Sequence, residues 1–304
     1  MLARRDLVLA VRHESLNVYH RGASLFLVQR QSAGFVALTH AKYLARRQQG
    51  LVPLQLDGTF GVDPASALWR AYEGPHTLDE MVKAAADLAG PEKIGLHALV
   101  LASPHVVDVE VSLEGVDAPD PSDRADGANL AAEEEAQDAS SGSSSQIGRQ
   151  DRLDVATLEE HDGTVRLAFH EAKHFANPDL RAGPTRTPPV AEQIARYRRT
   201  LAHHAPAIAA GYRAVCKALA RIAALRGQAQ GPSASALHPL IARVAEGDLL
   251  PEVDPEPRLV VFGFDQDQRD GAVWGRHRDR LTGEFGIRLY ALGSTGTKRS
   301  PAFR

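Results

Sequence analysis

RLDVATLEEHDGTVRLAFHEAKHF, residues 152–175, is the stretch on which the fold turns. Two runs of strand character flank His161, Asp162 and Gly163, and an Asp-Gly pair between such runs is a hairpin signal. Side chains along a strand alternate faces, so Glu171 and Lys173 project together from the second arm while Asp154 stands on the first. Two carboxylates and an ammonium converging in this way suit a metal-dependent phosphodiesterase better than a core.

Working upstream, residues 104–114 alternate in the same manner. Val107, Val109, Val111 and Leu113 are expected on one face, with Asp108, Glu110, Ser112 and Glu114 on the other. Residues 117–148 are poor in aliphatics and rich in Asp, Glu, Ser and Gly, so they cannot bury enough surface to fold alone. They read as a mobile acidic insertion between two strands of one sheet, because strands resume at once beyond them; an acidic linker between two domains is the competing reading. A helix is expected at about 77–89, with Thr77 as cap and Glu80 in capping-box register. Residues 6–60 alternate in short runs broken by Gly and Asn, the pattern of an antiparallel meander. The chain is therefore divided into an N-terminal β-rich module, 1–75, and a second domain, 76–304.

Downstream, Pro188 and Pro189 open an arginine-rich helical region to about 226, expected as two helices broken before Pro206. After a weakly helical stretch near 237–246 come a strand (255–265), a helix (271–286) and a further strand (287–293), a β-α-β crossover that demands parallel strands. The tail from Ser294 is expected to fray. No internal repeat is present.

At 304 residues and 43% hydrophobic composition the chain can bury a full core. Cys216 is its only cysteine, which excludes a disulfide framework and a cysteine-based zinc site and fits a reducing cytoplasm. No segment reads as a secretory leader or a membrane span, so a soluble protein without a membrane partner is expected. The net charge of −3 argues against indiscriminate coating of nucleic acid. Arginines nevertheless gather at 181–226 and at Arg276, Arg278 and Arg280, which leaves either a local basic face for phosphates or ordinary solvated helix faces.

Phosphodiester hydrolysis calls for a divalent cation, and hard cations take carboxylate and carbonyl oxygens. Asp154 and Glu171 supply the anions, and the backbone carbonyl of Ala172 can complete the protein's share. Lys173 can orient the attacking water or offset charge developing on the phosphorus. To act as a base it would need a lowered pKa, for which burial is the expected source.

The motifs RLD (152–154) and HEAK (170–173), followed by Gln193 and Tyr197 four apart on a helix, resemble the signature of the PD-(D/E)xK nuclease superfamily with the QxxxY motif of its RecB-type members. The resemblance implies an α/β fold: a restriction-endonuclease-like core, with a mixed central sheet flanked by helices, behind the antiparallel β-rich module. It further implies Mg2+ or Mn2+ as cofactor and DNA rather than RNA as substrate, in a nuclease of the kind found in mobile elements or defence systems. Asp154, Glu171, Lys173, Gln193 and Tyr197 would be the catalytic set, the last two positioning the lysine or touching the nucleic acid backbone. Glu110, Asp154, Glu171 and Ala172 would bind metal. The superfamily usually carries a further glutamate on the helix before the meander. Glu80 and Glu92 are loosely placed for that role, and Glu110 is preferred over Asp108 and Glu80. Leu153 stands where the motif has proline.

Two other readings remain open: an inactive nuclease-fold module that binds nucleic acid, and an interaction protein whose strand charges are merely solvated. The N-terminal module leaves room for a protein partner or a second copy of the chain. His170 and His174 are expected on the face opposite Glu171. His203 and His204 are expected at a helix end against terminal carbonyls, Asp265, Asp267 and Asp270 as solvated loop acids, and Trp274 at the core edge.

Overall fold

Five short strands follow one another at the start of the chain: β1 (Val8–Val11), β2 (Ser15–His20), β3 (Ala23–Gln31), β4 (Gly34–His40) and β5 (Leu51–Leu54). Each pairs antiparallel with the next, in the order β1-β2-β3-β4-β5, which is the meander that the alternation of residues 6–60 predicts. Helix α1 (Pro75–Leu88) presents Leu78, Met81 and Ala85, spaced to share one face, to a core containing Val18, Leu25, Phe26 and Val52. The helix begins before Thr77, because Pro75 suits the first helical position and Gly74, at φ 78°, takes the cap. The expected capping box is thus not formed: buried Thr77 accepts from the Glu73 N–H at 2.8 Å, and Glu80 pairs with Lys83 at 2.5 Å. This helix is part of the first compact unit, Asp6–Ala89, which runs past the boundary at 75 read from the sequence.

The second unit comprises Gly90–Val116 and the chain from Gln150 onward. Its elements are α2 (Pro91–Leu101), β6 (Val106–Glu114), β7 (Gln150–His161), β8 (Thr164–His174), α3 (Pro189–Gln230), α4 (Pro239–Glu246), β9 (Glu252–Val253), β10 (Arg258–Phe262), α5 (Gln266–Asp270), α6 (Ala272–Gly283) and β11 (Arg288–Ala291). The sheet order is β11-β10-β8-β7-β6, with β9 beside β8. β6, β7 and β8 pair antiparallel, whereas β8–β10 and β10–β11 are parallel, so the expected hairpin and crossover both form in one mixed sheet. Asp162 (φ 47°) and Gly163 (φ 77°) make the tight turn of the hairpin.

Leu167, Phe169, Leu259 and Val261 share a core with Ile194, Leu201 and Tyr212 of α3, Ile241 of α4 and Trp274 of α6. On the opposite face, Gly95 of α2 meets Phe262 so closely that an added Cβ would lie 2.4 Å from the ring. Helices therefore flank the sheet on both faces. α3 is one helix with Pro206 inside it, in place of the two expected. An internal proline costs about 3 kcal/mol, but Leu201, Ile208 and Tyr212 on both sides of it enter one core, each burial contributing roughly 1.5–3 kcal/mol.

The structure, a computed structural model, describes residues 4–32, 34–116, 150–247, 250–293 and 303. The acidic segment 117–148, and the tail from Ser294 apart from Phe303, lie outside the described residues. Among the described residues no helix is long and apolar enough to cross a membrane.

Candidate functional site

Strand pairing stops where the sequence places its acids. The β7–β8 ladder runs from His161 and Thr164 to Val155 and His170 and ends there, while β8 continues along β10 to His174. On its β7 side the Ala172 N–H donates to Asp154 Oδ2 instead, at 2.8 Å. The N–H and C=O of one strand residue point to the same edge, so the Ala172 carbonyl opens on the same gap.

The β6–β7 register passes from Val109 and Val155 to Val111 and Leu153, skipping Glu110 and Asp154. Glu110 has φ 52°, a left-handed backbone that costs a residue with a side chain roughly 1–2 kcal/mol. A second irregularity lies between Val106 and Asp108. Together they break the alternation expected of β6. Asp108 does not join Glu110 on a polar face; it is buried, and the Tyr212 hydroxyl of α3 donates to it at 3.0 Å. Val107 and Val111 enter the core under α3, and Val109 does not.

Lys173 Nζ lies 2.9 Å from Glu171 Oε1 and 3.8 Å from Asp179 Oδ2. Glu171 is only 3% exposed, and its Oε2 has no hydrogen-bond partner. Burial, with Asp154 as neighbour, pushes the Glu171 carboxyl up to about 8 against the opposing pull of Lys173. Asp154 is also raised: burial leads, Lys93 opposes it, Glu110 adds to it, and Lys173 with the Ala172 N–H pull the other way. For Lys173 burial acts against the charge, but Glu171, Asp154 and Glu92 outweigh it and lift the pKa above its ordinary value. The lowered pKa that a base role would need is therefore not what burial brings here. A pKa raised by neighbouring acids suits Lys173 to orienting and stabilising anions.

Two neighbours on α2 complete the arrangement. Lys93 Nζ lies 2.6 Å from Glu110 Oε1, and Asp154 acts on the same ammonium. Glu92 Oε2 accepts from the His174 N–H at 2.8 Å and from Asn177 Nδ2 at 2.9 Å, tying the helix start to the chain that leaves β8. Sequence reasoning missed Lys93 and left Glu92 loosely placed. Gly90-Pro91-Glu92 was the available signal, since proline at the first helical position and an acid in the first turn mark a helix start.

Gln193 and Tyr197 do stack on α3, with Gln193 Nε2 donating to the Tyr197 hydroxyl at 2.6 Å. Tyr197 is buried, and its pKa is driven well above the usual value by burial, then by Glu171, with Gln193 opposing and Asp154 and Asp151 adding. The tyrosine thus belongs to the field of the acids. Glu80 lies in the first unit.

His170 is buried against Thr157 Oγ1 at 2.9 Å. His203 and His204 sit inside α3 and not at a helix end, because Pro206 does not break it; His204 Nε2 is 3.0 Å from the Glu114 carbonyl oxygen. Asp265 caps α5 in a capping box with Gln268, and Trp274 is fully within the core.

The donor set fits a hard divalent ion in part. Asp154, Glu171 and the Ala172 carbonyl supply oxygens, and the partnerless buried Oε2 of Glu171 is an atom such an ion would satisfy. As the side chains stand, no three His, Cys, Asp or Glu among the described residues are grouped to hold a metal. Lys93 and Lys173 hold Glu110 and Glu171 in ion pairs instead. Comparison of the chain with family models, curated proteins and solved structures returns no match.

Proposed function

We propose that the chain is a metal-dependent nuclease that hydrolyses DNA phosphodiester bonds with Mg2+ or Mn2+ in a PD-(D/E)xK-type site. The observation that carries this reading is the adjacency of two carboxyl groups, Asp154 and the buried Glu171, with one Glu171 oxygen unpartnered beside the Lys173 ammonium. A protein keeps such an arrangement at a cost in stability unless a cation completes it. Asp154, Glu171 and the Ala172 carbonyl would hold the ion, which when bound supplies a nucleophile near neutral pH and polarises the phosphate. Lys173, charged and anchored by Glu171, would orient the incoming water and face the phosphate. Tyr197, braced by Gln193, would keep that side of the site dry and anionic. Glu110 adds its field, and reaches an ion only by exchanging its partner Lys93.

Metal-stimulated cleavage of plasmid and single-stranded DNA tests the proposal. Cleavage should be lost in Asp154→Ala and Lys173→Ala, with DNA binding retained. A wild-type chain that binds DNA and cuts it with neither metal would instead be an inactive nucleic-acid-binding module. One observation favours that second reading: the two lysines already neutralise acids that a metal would otherwise claim.

A further inference from the structure

Lys93 has no place in the roles assigned above, yet it reaches from α2 to the middle of β6 to meet Glu110 at 2.6 Å. Its side chain is 29% exposed and that of Glu110 is 21% exposed, so the pair is held within the protein and is not a surface contact. Glu110 is one of four described residues other than glycine with positive φ, and it lies in the interior of a strand. Strain of this kind persists where the surroundings hold it, and the Lys93 ammonium is one of the groups that fix the Glu110 side chain. On the other side of the skipped register position stands Asp154, the acid nearest to sharing an ion with Glu171. Asp154 thus feels Lys93 of α2, Glu110 of β6 and Lys173 of β8, and itself acts on Glu171.

We propose that Lys93 is a positioning residue that acts as a fixed second cation: it neutralises Glu110 beside Asp154 and so limits the site to one metal ion, held between Asp154 and Glu171. The inference rests on the nuclease reading of this site. Removing the Lys93 ammonium takes a cation from beside Glu110 and Asp154, and a carboxylate pair so relieved is one that hard divalent ions bind readily. With Lys93 in place, one seat is filled by an ammonium that cannot leave the chain. Two-metal and one-metal-plus-lysine sites both place two positive centres at the phosphate.

Calorimetric titration of the full chain with Mn2+, without DNA, reads the number of ions directly. The expected counts are one ion for the wild type, one for Lys93→Arg, which keeps the charge, and two for Lys93→Met. A purely structural role for Lys93 would change the melting temperature and leave the count alone. One ion in all three proteins with unchanged affinity overturns the inference and leaves the nuclease reading standing. Two ions in the wild type overturn it as well, and that result does not depend on whether Lys93→Met folds. A wild-type chain that takes up no ion overturns the reading of the site and this inference with it.

Discussion

Two clusters of buried charge lie on the second sheet, and they differ in whether their acids are matched. At the turn half of the β7–β8 hairpin, Arg258 donates to both oxygens of Glu159, while Asp254 accepts from Arg288 at 2.7 Å and from the Glu256 N–H at 3.0 Å. Two carboxylates meet two guanidiniums, and all four carboxylate oxygens accept a hydrogen bond. At the open half, the carboxyl groups of Glu110, Asp154 and Glu171 gather about Lys93 and Lys173, and Glu171 Oε2 accepts nothing. Burial of charge is common to both clusters, so it does not mark function. What separates them is the unpartnered carboxyl oxygen at the open end of the hairpin.

The largest test of that contrast removes a cation from the matched cluster. Arg258→Ala leaves Glu159 without its guanidinium and Asp254 with Arg288 alone, and denaturant unfolding should register a loss of about 3–5 kcal/mol. A loss under about 1 kcal/mol would show that the cluster does not depend on its balance. Removing the unpartnered carboxyl group from the open-end cluster should act in the opposite direction. Glu171→Gln is expected to stabilise the metal-free chain by roughly 0.5–2 kcal/mol at alkaline pH while abolishing cleavage, the trade between stability and activity found at catalytic sites.

The same glutamate gives a pH dependence of definite sign. Folded Glu171 keeps its proton up to about 8, whereas the ordinary value is 4.5. Between those values the folded chain binds more protons than the unfolded one, so its contribution to stability falls as pH rises through the window. Melting temperatures of the metal-free protein should decline across that range, and the slope should flatten in Glu171→Gln. A smaller effect is expected from the metal itself: Mn2+ should raise the melting temperature of the wild type and leave Asp154→Asn unchanged, by mass action on the folded state alone.

The matched features of the site were legible because they are local. The Asp162-Gly163 turn fixes the hairpin, the hairpin sets Asp154 against Glu171, and a helical spacing of four stacks Gln193 on Tyr197. The features that decide the chemistry depend on distant partners. Lys93 finds Glu110 through the packing of α2 on the sheet, for which Gly95 makes room, and residues 93–101 carry no alternation that betrays it. The raised pKa of Lys173 follows from acids on three elements, so burial alone does not decide its direction. β6 reads as a regular strand because nothing in Val-Glu-Val announces a left-handed turn of the backbone at Glu110. Pro206 reads as a helix end because the core on both sides of it is a tertiary matter.

A crystal grown with Mn2+ gives the most direct test, through the anomalous signal of the metal. The account predicts a peak within coordination distance of Asp154, Glu171 and the Ala172 carbonyl, with Lys173 beside it. A map with no peak there, and with both lysines still bound to their glutamates at saturating metal, would contradict it.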